Sequence, residues 1–233
     1  MNHAMKSLFC LAFLGAVLIP VPTYSAEPRV YHIMPLGDSI TEGGKAFVVY
    51  RPLLAEKLKA AGYRVEFVGS KTSDSAMGPL AHEGYGGRNA EFLASIVGKA
   101  IADHPADIVM IHAGHNHTAE EMPIPKIIGA TESIIGTLRK ANPKAVVLLA
   151  QVITSAKLPK YSYIPDLNES LAKLAEKLHK ADQPVILVNQ AEGFEPEKDT
   201  INDKVHPNAA GAEKMATKWF NALVKVMEKP AGK

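Results

Sequence analysis

Cysteine is almost missing from this chain. The one present, Cys10, lies inside an apolar run near the start, so the rest of the chain has no disulfide framework, thiol nucleophile or thiolate metal centre. A dominant charge is missing as well. The formal net charge is +2, and basic residues such as Lys57, Lys59, Lys173 and Lys177 alternate with acids along helical patterns. Nothing electrostatic argues for nucleic acid or an anionic membrane as partner. No apolar run approaches the ~20 residues a membrane span needs; the most prominent, residues 8–19, is about a dozen long. No repeat or low-complexity tract occurs. Two nucleophile signatures are also absent: there is no Gly-x-Ser-x-Gly elbow, and no Ser-x-x-Lys pair stands in a penicillin-binding context. What remains is 233 residues, 47% hydrophobic and 21% charged, enough for one domain with a substantial core.

The first 26 residues read as a secretory signal peptide. Lys6 supplies a weak basic start, residues 8–19 the apolar centre, and Thr23, Ser25 and Ala26 the small residues of a cleavage region after Ser25 or Ala26. The alternative is an uncleaved membrane anchor. Ser7-Leu8-Phe9 ahead of Cys10 does not form a lipoprotein box. The expectation is a secreted or periplasmic protein with one domain over residues 27–233 and no membrane span after cleavage.

Beyond the leader, Val- and Ile-rich runs at 30–36, 65–69, 107–112, 145–153 and 184–189 alternate with helical patterns at 50–61, 89–102, 125–141 and 164–181. Short continuous apolar runs suit strands buried on both faces. Gly62 stands where a helix C-terminal cap is wanted, and a final helix follows Pro207, a residue favoured at the first helical position. This alternation predicts an α/β fold, a three-layer α/β/α sandwich on a five-stranded parallel sheet. Binding groups then gather at the carboxyl ends of the strands.

Four elements fall at that edge. Ser39, on a glycine turn after the first strand, is a candidate nucleophile. Its hydroxyl needs a base in reach, and its own N–H at a helix start can face a developing negative charge. His206 is the candidate base, with Asp203 to hold its second nitrogen. Gly87 offers an unobstructed backbone N–H and Asn116 an amide, candidate donors to an oxyanion. His112, His115 and His117 raise the question of a metal; loop packing or substrate contact is the preferred reading, and no metal or cofactor is expected.

Gly37-Asp38-Ser39-Ile40-Thr41-Glu42-Gly43, His82-Glu83-Gly84-Tyr85-Gly86-Gly87, Asn116 and Asp203-Lys204-Val205-His206-Pro207, in that order, resemble the successive blocks of the SGNH (GDSL-like) hydrolase superfamily. The resemblance spans roughly residues 30–227. It implies the flavodoxin-like SGNH fold, a Ser39–His206–Asp203 triad, and an oxyanion hole from Ser39, Gly87 rather than Gly86, and Asn116. The third block departs from the usual Gly-x-Asn-Asp: here it reads Gly114-His115-Asn116-His117. Tyr50-Arg51-Pro52-Leu53, Phe67-Val68-Gly69-Ser70 and the His-Glu-Gly of the second block look most like carbohydrate esterase family 3 enzymes of the acetyl xylan esterase type. That likeness implies removal of O-acetyl groups from a poly- or oligosaccharide through an acyl-serine, without cofactor. Low aromatic content, 6%, and the lack of a lid insert argue against a long-chain lipase. Asp38, Tyr85, Arg88, His115 and His117 are candidate substrate contacts, and Arg88 with the two histidines would favour an anionic sugar. A lysophospholipase- or thioesterase-like enzyme, or a weakly active carbohydrate-binding protein, are the other readings. The expected partner is an acetylated carbohydrate or other small ester, with no nucleic acid; oligomeric state is left open.

Overall fold

The computed structural model describes residues 29–45 and 47–228. The expected signal peptide lies outside the described residues. No helix among them is long and apolar enough to cross a membrane.

The five expected parallel strands are present, in the order β2 (Arg64–Phe67), β1 (Val30–Gly37), β5 (Ile108–His112), β6 (Val146–Gln151), β7 (Val185–Asn189). Side chains alternate along them and feed two cores. On β5, Val109 and Ile111 face one layer, Ile108 and Met110 the other; Val147 and Leu149 part from Leu148 and Ala150 on β6 in the same way. The first layer holds α3 (Ala90–Asp103), α4 (Ile124–Ala141) and α5 (Ile164–Leu178). The second holds α2 (Tyr50–Ala60) and α7 (Ala209–Val226), joined through Leu54, Leu58, Met215 and fully buried Trp219. This two-faced burial explains why the strands read as unbroken apolar runs.

The sheet has more than the expected five strands. Two short ones, β3 (Lys71–Ser73) and β4 (Leu80–Gly84), make it seven-stranded; β3 is antiparallel to β4, and β4 pairs with the end of β1. Arg51 of α2 secures this addition. Buried, it donates to Leu80 O and Ser73 Oγ, and also to Thr41 O and Glu42 O, two of the carbonyls left open at the end of the one-turn helix α1 (Ser39–Glu42). The start of α7 also differs. Asn208, not Pro207, makes the cap, its Oδ1 accepting from Ala210 and Gly211 N–H, so the helix begins after it. Gly62 does follow α2 with φ +84, in the left-handed region that ends helices. A further one-turn helix, α6 (Pro196–Asp199), precedes the Asp203 loop.

The parallel order reverses direction between β1 and β5, and the cleft outside such a switch point is the usual ligand position of open α/β sheets. There Gly37 lies beside Gly84 on one side and His112 on the other. A Cβ on Gly37 would overlap Thr41 Oγ1 and His112 O, and one on Gly84 would overlap Glu42 N. Both glycines are therefore required for α1 to sit down on the strand ends.

Candidate active site

Asp38 caps α1, its Oδ1 accepting the Ile40 N–H at 2.9 Å, which sets Ser39 as the first helical residue. Ser39 Oγ is 2.8 Å from His206 Nε2. His206 Nδ1 is 2.5 Å from Asp203 Oδ2, while Asp203 Oδ1 accepts the N–H groups of Val205 at 2.9 Å and His206 at 3.0 Å. Lys204, at φ +62, turns the chain between the two side chains. Partial burial pushes the Asp203 carboxyl up, but the hydrogen bonds from the His206 ring, His206 N–H and Val205 N–H outweigh it and hold the group below its ordinary range. An ionised Asp203 facing Nδ1 fixes the proton there and leaves the Nε2 lone pair for the serine.

The oxyanion candidates differ in which of their N–H groups are already bonded. Among the described residues, the Ser39 N–H has no partner. The Gly86 N–H is taken by Glu42 Oε2 at 2.5 Å, and Glu42 Oε1 is ion-paired with Lys71 Nζ of β3. The next residue, Gly87, has a left-handed φ of +73 and no protein partner for its N–H among the described residues. Of the two glycines only Gly87 therefore has a donor to spare. The loop is close to the nucleophile, since a Cβ on Gly86 would lie 3.8 Å from Ser39 Cβ. Asn116 is also left-handed, φ +68, a conformation Asn tolerates better than most residues. One amide hydrogen goes to Arg88 O at 2.9 Å, which leaves the second uncommitted.

The expected substrate contacts are placed differently. Asp38, His115 and His117 are buried. Asp38 Oδ1 is engaged by its cap. His115 lies behind it, packed edge-on against Tyr161 at 5.3 Å. His117 is bridged between Glu121 at 2.6 Å and Glu91 at 3.0 Å, so both ring nitrogens are occupied by carboxylates. Tyr85 directs its hydroxyl to Glu83 and Ser70 and sets its ring against Phe92. Arg88 alone of the five is exposed, with its guanidinium 4.9 Å from the Phe92 ring centre. The third-block loop is covered by the segment carrying Tyr161 and Tyr163, whose hydroxyl reaches Gly114 O at 2.8 Å. That long-range cover is why His115 and His117 are internal.

Asp38, His112 and His115 bring possible ligand atoms within 4.8 Å of one another. Burial drives the His112 imidazole down to about 4 and that of His115 to about 3, and pushes the Asp38 carboxyl up to about 6. The Ile153 N–H donates to His112 Nε2 at 3.3 Å, so the neutral ring carries its proton on Nδ1 and offers no lone pair there. Asp38 and His115 remain, too few ligands for the three-residue centres that hold a catalytic metal. Asp38 Oδ2 and His115 Nδ1, 3.8 Å apart, are beyond hydrogen-bond range.

Two contacts have no forewarning in the motifs. Glu42 lies within the first block, yet its bond to Gly86 depends on β3 and β4. The ring of Phe47 is stacked on His206, centroids 4.3 Å apart.

The GDSL-like lipase/acylhydrolase family model matches residues 36–214, which include every residue of this constellation. The chain belongs to that family. A multidomain esterase of Ruminococcus flavefaciens is 27% identical over 239 residues, covering 89% of this chain; the chain spans about 30% of that relative's length. Among solved structures, a carbohydrate esterase family 3 protein from Talaromyces cellulolyticus superposes with a TM-score of 0.75 at 26% identity, covering 84% of this chain and 97% of that one. A serine-to-alanine acetyl esterase mutant with an acetate ion gives 0.74 at 26% identity with the same coverage. A family 3 carbohydrate esterase of Clostridium thermocellum gives 0.73 at 24% identity, covering 85% and 97%. The fold is the SGNH hydrolase fold.

Proposed function

We propose that this GDSL-family protein is a secreted serine esterase that removes O-acetyl groups from a polysaccharide or oligosaccharide. The observation that carries the reading is the unbroken Ser39–His206–Asp203 hydrogen-bond chain, with the Ser39 and Gly87 N–H groups unpartnered among the described residues and one Asn116 amide hydrogen left over from its bond to Arg88 O. His206 Nε2 takes the Ser39 proton as Oγ attacks the ester carbonyl. Charge develops on the carbonyl oxygen, and the N–H groups of Ser39 and Gly87 with the Asn116 amide receive it. The imidazolium, held by Asp203, returns its proton to the leaving sugar oxygen, which gives an acyl-serine and a free hydroxyl. Water then enters, His206 removes its proton, and acetate leaves as Ser39 recovers its hydrogen.

The carbohydrate substrate rests on the family 3 likeness, and secretion on residues 1–26. Acetate release from a panel of acetylated neutral and uronic glycans, by wild type and Ser39→Ala, tests both activity and substrate class. A matched series of acetyl, octanoyl and palmitoyl esters tests acyl length. Preference for the long chains would replace the acetylesterase reading with a lysophospholipase- or thioesterase-like one.

A further inference from the structure

His206 presents an edge to Ser39 and a face to Phe47. The Phe47 ring, from the segment between α1 and α2, lies on the imidazole with planes inclined by 23° and centroids 4.3 Å apart. Gly44 makes room for it: a Cβ there would press within 3.3 Å of Phe47 Cε1, and the two residues are bridged across their turn. The ring is only partly buried, and Val48 beside it is 44% exposed. A partly open apolar ring thus stands beside the candidate base rather than inside either core.

The direction of proton transfer says what meets that ring. The proton lost by Ser39 passes to His206 Nε2 and then to the leaving oxygen, so the leaving group lies against the imidazole. The carbonyl oxygen lies toward Gly87 and Asn116. A side chain stacked on the imidazole therefore flanks the leaving group and not the acyl group. We propose that Phe47 is the leaving-group subsite, its ring face turned away from His206 serving as a platform for the C–H face of the sugar ring that carries the ester. An aromatic face is negative at its centre and presents a broad surface for dispersion contacts, which suits the polarised C–H groups of a pyranose. This rests on the esterase reading and adds to it the place and chemistry of sugar recognition.

The test compares KM for an acetylated oligosaccharide with KM for ethyl acetate, whose leaving group has no ring. In Phe47→Ala the ratio of the two rises about tenfold, equivalent to about 1.4 kcal/mol. Phe47→Trp restores it, and Phe47→Leu, which keeps bulk without a π face, does not. Binding of the deacetylated oligosaccharide, followed by calorimetry, weakens by the same factor in Phe47→Ala. An unchanged ratio in Phe47→Ala, or full retention in Phe47→Leu, overturns the subsite. If wild type hydrolyses neither ester, the esterase reading falls; the calorimetric result still decides whether Phe47 holds a sugar.

Discussion

Replacing Glu42 by Ala should slow the reaction while leaving substrate affinity nearly intact. The carboxylate sits at the end of α1 and reaches across to Gly86 N–H at 2.5 Å, with Lys71 on its other oxygen. Glu42 is expected to act through the turn it holds at Gly86, next to the proposed donor Gly87. A hydrogen bond to a charged group is worth about 1.5–3 kcal/mol, and loss of one oxyanion donor costs about 2.7–4 kcal/mol of transition-state stabilisation. A Gly87 loosened but still present should forfeit part of that, so kcat should fall about 10- to 100-fold, or about 1.4–2.7 kcal/mol. The ground-state carbonyl carries little charge, so KM should stay within about twofold. Glu42→Gln, which keeps one acceptor oxygen, should lie between. Steady-state kinetics on an acetyl ester, with circular dichroism to establish folding, gives the answer. A folded Glu42→Ala enzyme with kcat within about twofold of wild type would refute the reasoning.

Asn116→Ala should lower kcat by about 10²–10³ with little change in KM, measured on the same ester. Gly37→Ala should lose the native fold or melt well below wild type, because its Cβ would overlap Thr41 Oγ1 and His112 O; an unchanged melting temperature would contradict the packing described. Asp38 gives a pH prediction. Burial raises its carboxyl from 3.8 to about 6, so between those values the native state holds a proton the unfolded chain has released. Its contribution to stability therefore falls as pH rises through that window, by about 3 kcal/mol. The buried His112 and His115 act oppositely, losing stability as pH drops below the ordinary imidazole range. Asp38→Asn, which keeps a capping oxygen, should gain on wild type as pH rises from about 4 to 6. Urea unfolding at both ends of that window checks the sign, and a difference independent of pH would reject it.

The parallel sheet was legible because its strands are covered on both faces, so Val109 to Ile111 or Val147 to Leu149 read as apolar runs without help from elsewhere. Strands β3 and β4 were not legible. Lys71-Thr72-Ser73 is short and polar, and its place depends on Arg51 and Glu42, residues remote in sequence, and on pairing with Leu80–His82. Ser39, Asp203 and His206 could be paired only through the family likeness, since alone a Gly-Asp-Ser turn reads as a helix cap and an Asp-x-x-His spacing as a surface loop. Gly87 could be preferred to Gly86 only through the family likeness; the structure adds a physical reason, the Gly86–Glu42 bond. His115 and His117 illustrate the converse. Nothing in Gly114-His115-Asn116-His117 tells that a tyrosine-bearing segment closes over the loop, or that Glu91 and Glu121 flank His117. Phe47 likewise gains its meaning from a partner at the far end of the chain.

The most direct test is covalent labelling with a fluorophosphonate, followed by peptide mapping. The probe reacts with a serine whose proton is drawn off by a neighbouring base. Modification at Ser39 in wild type, lost in both Ser39→Ala and His206→Ala, is the predicted result. An adduct on a different residue, or labelling of Ser39 that persists undiminished without the His206 imidazole, would contradict the account.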